Sequence, residues 1–103
     1  MSHRRAFVID HNSKQDVSDA SRFGQIVYLF AHGERPPSLF SNAFIVECMH
    51  RMEDFDELLD YFVVSGNVNA TTLVTATLVS KYDTVNLLLF DASNSEYVHK
   101  AIT

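Results

Sequence analysis

A single cysteine, Cys48, leaves the chain without an internal disulfide or a Cys-pair zinc site. No apolar run approaches the ~18 residues of a membrane span. The start, MSHRR then AFVID, holds too short an apolar run for a secretory signal. Together these point to the cytosol. Basic residues are also scarce: 8 Lys and Arg stand against 13 Asp and Glu, for a net charge of −5. The one basic doublet is Arg4-Arg5. Nucleic acid is therefore an unlikely ligand, because large-scale phosphate binding needs clustered cations. GxGxxG, GxxxxGK[ST] and GxSxG are all missing, which removes the common nucleotide-cradling loops and the serine nucleophile elbow. What is present is an apolar content of 47%, which excludes general disorder, in 103 residues, enough for one domain and one core.

The chain is organised around Asp60 to Asp91, DYFVVSGNVNATTLVTATLVSKYDTVNLLLFD. Tyr61 to Val64 and Val85 to Phe90 are continuous apolar runs, which suit strands covered on both faces. The segment between them is rich in β-branched threonine and valine and leans towards strand by propensity. Leu73, Val74, Thr77 and Leu78 nevertheless form a helical stripe, and two parallel buried strands need a crossover of about a dozen residues. A helix is therefore predicted over 68–82, capped by Asn67 or Asn69.

Upstream, RAFVID at 5–10 reads as a strand ended by His11-Asn12-Ser13. A short helix is predicted from Asp16, with Val17, Ala20 and Phe23 as its apolar face and Gly24 as its stop. QIVYLFA at 25–31 reads as a second strand. Two prolines make 32–37 a loop. Ser41 fits an N-cap, with Phe40 and Ile45 placed as a hydrophobic staple. The helix it opens is predicted to run from Asn42 to about Asp54. At the end, Ser93-Asn94-Ser95-Glu96 has the pattern of a capping box, so a last helix is expected with Tyr97, Val98, Ala101 and Ile102 inward. The order β-α-β-α-β-α-β-α gives one domain: a small doubly wound, Rossmann-like α/β sandwich of four mainly parallel strands with helices on both faces. With so few strands the edges stay exposed, so a homo-oligomer is expected.

Ligands of an open parallel sheet bind beyond the carboxyl ends of its strands. Those ends carry Asp10, His11, Asn12 and Ser13; His32 and Arg35; Ser65, Gly66 and Asn67; and Asp91. They make a candidate ligand rim, although the strand tips of any α/β protein are polar. Ser65-Gly66-Asn67 precedes a helix whose free N–H groups suit an anion, but one glycine there equally marks a plain turn. Cys48 falls on the buried stripe of its helix and reads as a small hydrophobe. His50 and His99 read as solvated residues on polar helix faces. No metal site, catalytic set or cofactor is expected. A second candidate is the acidic turn of Glu53, Asp54, Asp56, Glu57 and Asp60, five carboxylates in eight residues. They load the end of a helix with like charge, which suits steering of a basic partner, and suits equally a solvated turn.

Two stretches, FVIDHN at 7–12 and VVSGNVN at 63–69, resemble the first strand and the turn before a helix in PIN-like and NYN nucleases. That resemblance implies a metal-binding role for Asp10 alone, because Asn67 and Asn69 stand where the nucleases carry carboxylates. Across its length the chain resembles a group of short α/β proteins of tailed bacteriophages. DVSDASRFGQIVYLF, ERPPSLFSNAF, DELLDYFVVSGN, VNLLLFDA and YVHKAI carry this similarity. It implies a protein at work in an infected bacterium, without catalytic residues. Two functions are then expected. The first is a non-enzymatic interaction protein that binds a host or phage protein, as in host takeover or inhibition. The second is a Rossmann-like nucleotide-binding domain or a degenerate metal-dependent nuclease using the strand-tip rim.

Overall fold

The structure, a computed structural model, describes residues 3–11 and 15–103. Asn12 and Ser13 of the expected rim lie outside them. The elements are β1 (Arg5–Asp10), a 3-10 helix (Ser18–Arg22), β2 (Gln25–Phe30), α1 (Asn42–Arg51), β3 (Tyr61–Val64), α2 (Val68–Lys81), β4 (Val85–Asp91) and β5 (Glu96–Ile102). They form a mixed α/β fold around one five-stranded sheet in the order β2-β1-β3-β4-β5. The first four strands are parallel to their neighbours, and β5 runs antiparallel to β4. Among the described residues, no helix is long and apolar enough to cross a membrane.

The last element corrects the sequence expectation: residues 96–102 form a strand, not a helix, and the sheet has five strands instead of four. The pattern read as a capping box is a hairpin turn. The Asp91 carboxylate accepts from the Ser93 N–H at 3.0 Å and from the Asn94 side-chain amide at 2.9 Å. Ser95 completes the reversal at φ 53. From there β5 pairs with β4 from Asp91↔Glu96 to Val85↔Ile102. A segment of seven residues gains little as an isolated helix, whereas β4 offers it a full row of ladder hydrogen bonds.

The central unit forms as the periodicity predicts. Asn67 caps α2, its side-chain oxygen accepting from the N–H groups of Asn69 at 2.8 Å and Ala70 at 3.1 Å. The β-branched content is absorbed by back-bonding: Thr71 and Thr77 donate to the carbonyls of Asn67 and Leu73, four residues earlier. Ser41 caps α1 by accepting from the Ala43 N–H at 3.1 Å. The expected staple does not form, because Phe40 is 95% exposed. α1 also ends at Arg51, short of Asp54. Its last turn tightens there, with the Met52 N–H shared between the carbonyls of Cys48 and Met49. The helix expected from Asp16 is reduced to the five-residue 3-10 turn. Asp16 accepts from the Ser18 N–H and so favours a local turn over a cap.

Each strand alternates its side chains between two cores. On one face Phe7, Ile9, Leu29, Phe62 and Leu87 meet both α-helices through Phe44, Cys48, Met52, Val74 and Leu78. On the other face Ala6, Val8, Val63 and Leu88 are covered by Val17, Ala20 of the 3-10 turn, and Tyr97 of β5. Both α-helices therefore share one side of the sheet, where helices on both faces were expected. A 3-10 turn suffices on the second side because Tyr97, 1% exposed, fills the space a helix would occupy.

Candidate functional site

Chain direction sets the location of the site. From β1 the chain moves outward to β2, then returns across β1 to β3 on its other side. The connections after β1 and β3 thus leave in opposite directions, and a crevice opens between the tips of these two strands. It has a volume of about 750 Å³. Its floor is Ile9, Phe44 and Ala70, and its polar groups are Asp10, Gln15, Ser65, Gly66 and Asn67. Its outer wall is the loop Pro36-Pro37-Ser38-Leu39.

Ser65 follows the last residue of β3 and is only 8% exposed. Its hydroxyl has no hydrogen-bond partner among the described residues, the one such buried side-chain atom there. Gly66 turns the chain from β3 into α2 at φ 79, a conformation that a side chain would oppose. The Gly66 N–H donates to the Gln15 side-chain oxygen at 3.0 Å. The Gln15 amide nitrogen donates in turn to the Tyr97 hydroxyl at 3.1 Å. Burial pushes the Tyr97 phenol above its ordinary pKa, while the Gln15 bond pulls the other way. The proline loop is fixed from behind. Glu34 pairs with Arg51 at 2.6 Å and accepts from the Ala31 N–H at 3.0 Å. The Arg51 guanidinium holds the Glu34 carboxyl at about 2.

Of the expected rim, Asp10, Ser65, Gly66 and Asn67 come together in this crevice; His11, His32, Arg35 and Asp91 do not line it. The rings of His11 and His32 meet edge to face at 5.2 Å, with Tyr28 4.4 Å from His11. Arg35 is exposed, and Asp91 builds the β4–β5 turn. Sequence reasoning missed Gln15 and the proline wall. The two prolines were a usable signal, since a stiff loop after a strand tip makes a ready wall. Gln15 carried no signal.

The acidic turn lies at the opposite end of the sheet, and much of it is used internally. Asp60 is 1% exposed and pairs with Arg5 at 2.7 Å. It also accepts the backbone N–H groups of Arg5 and Asp56. The same arginine reaches Asp54 at 2.7 Å, which lowers the Asp54 pKa. Asp56 accepts from the Leu58 N–H, and Glu57 from the Thr84 N–H. Glu53 stays at the surface, 3.9 Å from His50.

No group of three or more His, Cys, Asp and Glu side chains among the described residues is placed to hold a metal. Burial pushes the Cys48 thiol up to about 12, so a thiolate nucleophile there is strongly disfavoured. His99 lies on β5, its ring nitrogen 2.8 Å from the Asn86 side-chain oxygen. Comparison with curated proteins and with solved structures gives no match. The family comparison agrees with the phage resemblance read from the sequence: the model of the phage Pam3 gp32-like protein family matches residues 2–103, and the chain belongs to that family.

Proposed function

We propose that this phage protein is a non-catalytic binding protein and that the crevice between β1 and β3 is its small-molecule site. The observation that carries this is the Ser65 hydroxyl. A buried polar group left unpaired costs about 1–3 kcal/mol; this one is shut off from water as it stands, and its residue lines a crevice of small-molecule size, so a ligand that turns the side chain towards itself would supply the missing bond. The location supports the same reading, since the strand order reverses there. The parallel order β2-β1-β3-β4 is also what a reduced Rossmann-like plan would have, with its second helical layer replaced by the 3-10 turn and Tyr97. A fragment screen followed by amide NMR tests the site. Ligands are expected to shift the Ser65 and Gly66 signals and to lose affinity in Ser65→Ala. A broad screen that leaves both signals unmoved removes the proposal.

A second reading, an interaction protein for a host or phage partner, has its own support. Phe40, 95% exposed, projects beside the proline wall, and Val68 and Leu58 are each 75% exposed. Such apolar side chains suit a protein contact. A partner bound through this loop would be released by Phe40→Ser, whereas capture unaffected by Phe40→Ser would count against the loop. A nuclease role has less support, because Asn67 is spent on capping α2 and Asp10 has no second carboxylate lining the crevice beside it.

A further inference from the structure

We infer that a second copy of this chain docks beside α2, on the helix side of β4 and β5, in a twofold dimer where each copy's α2 covers the other's bare strands. The contact uses the flank of α2 away from the crevice, so it and the small-molecule reading stand or fall separately. Its origin is the strand found where a last helix was expected. α2 crosses from β3 to β4, and no described helix lies over β5. Pairing sets Leu89 beside Val98 and Leu87 beside Lys100, and opposed residues share a face. Leu87 belongs to the core under the helices, so all four are on the helix side. Leu87 is buried there, whereas Leu89 and Val98 are 39% and 46% exposed. The surface is therefore a step: a helix about 10 Å across stands beside a floor of bare strand. A step is complementary to itself. Turned about a twofold parallel to α2, the ridge of one copy falls on the floor of the other.

The flank of α2 that a right-handed crossover turns towards β5 carries Val68, Thr72, Thr75 and Val79. Their spacing of four, three and four is that of a two-stranded helical seam. All four are β-branched, which lowers helix propensity. Within one copy nothing offsets that cost at Val79, 43% exposed, or at the still more exposed Val68. A twofold parallel to α2 makes the two helices a parallel pair, the arrangement in which β-branched seam residues favour two strands.

Charge fits the same occupant. A chain of net charge −5 repels its copies in general. From Val68 to Ser80, however, α2 has no ionisable residue. The floor has Lys100, with Glu96 at its rim. The ridge therefore brings no like charge to that lysine, and the side-chain oxygens of Asn69 and Thr72 on the ridge suit its ammonium group. A strongly charged partner helix would find nothing on α2 to pair with. The helix is about 21 Å long, from 14 residues. Ridge and floor together are about 20 Å wide. That is the small end for a specific contact, so a weak dimer is expected, with a Kd of about 10–100 μM.

The test is sedimentation of the full chain over a series from about 5 μM to about 1 mM, which brackets that Kd. The mean mass is expected to rise from monomer to dimer. Val79→Glu and Val98→Glu change exposed side chains and should each keep the chain monomeric, with unfolding midpoints near the parent's. Val46→Glu, on the outer face of α1, should leave dimerisation unchanged. A second measurement does not depend on disruption. Val79→Cys should form an interchain disulfide on oxidation, because a parallel seam brings the two copies of residue 79 within bridging distance. Leu73→Cys, on the far flank of α2, should not. The native Cys48 is buried and stays out of the reaction. Monomer across the whole series overturns the inference. So does a dimer that Val79→Glu leaves intact, or one that crosslinks through Leu73→Cys and not through Val79→Cys. A dimer lost in Val79→Glu but kept in Val98→Glu overturns the covering of β5.

Discussion

Arg51 and Glu34 meet at 2.6 Å, and through that pair a residue of α1 holds the loop that walls the crevice. Arg51 also donates to the Leu29 carbonyl at 2.7 Å and to Glu47 at 2.8 Å. One guanidinium thus ties the end of β2, the loop after it and the helix beyond into a single unit. Arg51→Lys would keep the charge but lose the planar fork that makes three contacts at once.

The Glu34 carboxyl is held at about 2 against an ordinary value of 4.5. Its folded-state pKa is therefore depressed. The stability it contributes is fully present above about pH 4.5 and is lost as pH falls towards 2. Asp16, Asp19 and Asp54 are lowered as well, with the same sign. Unfolding midpoints in urea should therefore fall across that acid window. Glu34→Gln should flatten part of the fall and leave the curve above pH 5, on the order of one unit beyond the carboxylate range, parallel to the parent. An unchanged acid slope in this variant would show that the pair adds nothing.

Arg5 and Asp60 form the buried counterpart. Asp60 has no route to water, whereas Arg5 is a quarter exposed. Arg5→Ala would strand a buried carboxylate and is expected to cost about 3 kcal/mol, near the low end for a broken buried pair. Chemical denaturation measures it. A loss under about 1 kcal/mol would place this pair with surface ion pairs.

Removing the Ser65 hydroxyl should have the opposite effect. Ser65→Ala deletes an unpaired buried polar atom and leaves the backbone turn intact. Stability without ligand is expected to rise by about 1 kcal/mol. A fall in melting temperature would mean that the hydroxyl is satisfied in solution, and the main support for the crevice as a ligand site would go with it.

Both free edges of the sheet carry an arginine. On β2 the Leu29 carbonyl is taken by Arg51; on β5 the Tyr97 carbonyl accepts from Arg22 at 2.8 Å and the Tyr97 N–H donates to Asp19 at 2.7 Å. Self-association through exposed edges was expected from the sequence, and these bonds occupy positions that it would use. The double variant Arg22→Ala, Arg51→Ala should therefore sediment as a larger species than the parent at equal concentration. Identical sedimentation would show that the side chains do not act as guards.

How far the fold was legible follows from where local chemistry speaks alone. α2 was readable because its stripe, its cap and the parallel strands around it agreed. The strand tips fell at Asp10, Ser65 and Asp91 because apolar runs end where the chain meets water. β5 was misread because Ser93-Asn94-Ser95-Glu96 satisfies a cap and a turn equally, and only the unpaired side of β4 decides between them. The acidic turn was half readable. Its charge was plain, but the partner of Asp60 is Arg5, more than fifty positions away along the chain. The crevice was located in part, since strand ends can be counted, while Gln15 is placed by Tyr97 and Gly66 together.

That misread hairpin has a consequence for the proposed binding site. Tyr97 holds Gln15, and Gln15 holds the turn at Gly66, so the far border of the sheet is a strut for the crevice mouth. Trimming the tail back past Glu96, or fusing a bulky tag there, would slacken a pocket none of those residues touches. Affinity for any ligand of the proposed site would then become a gauge of how firmly β5 is docked.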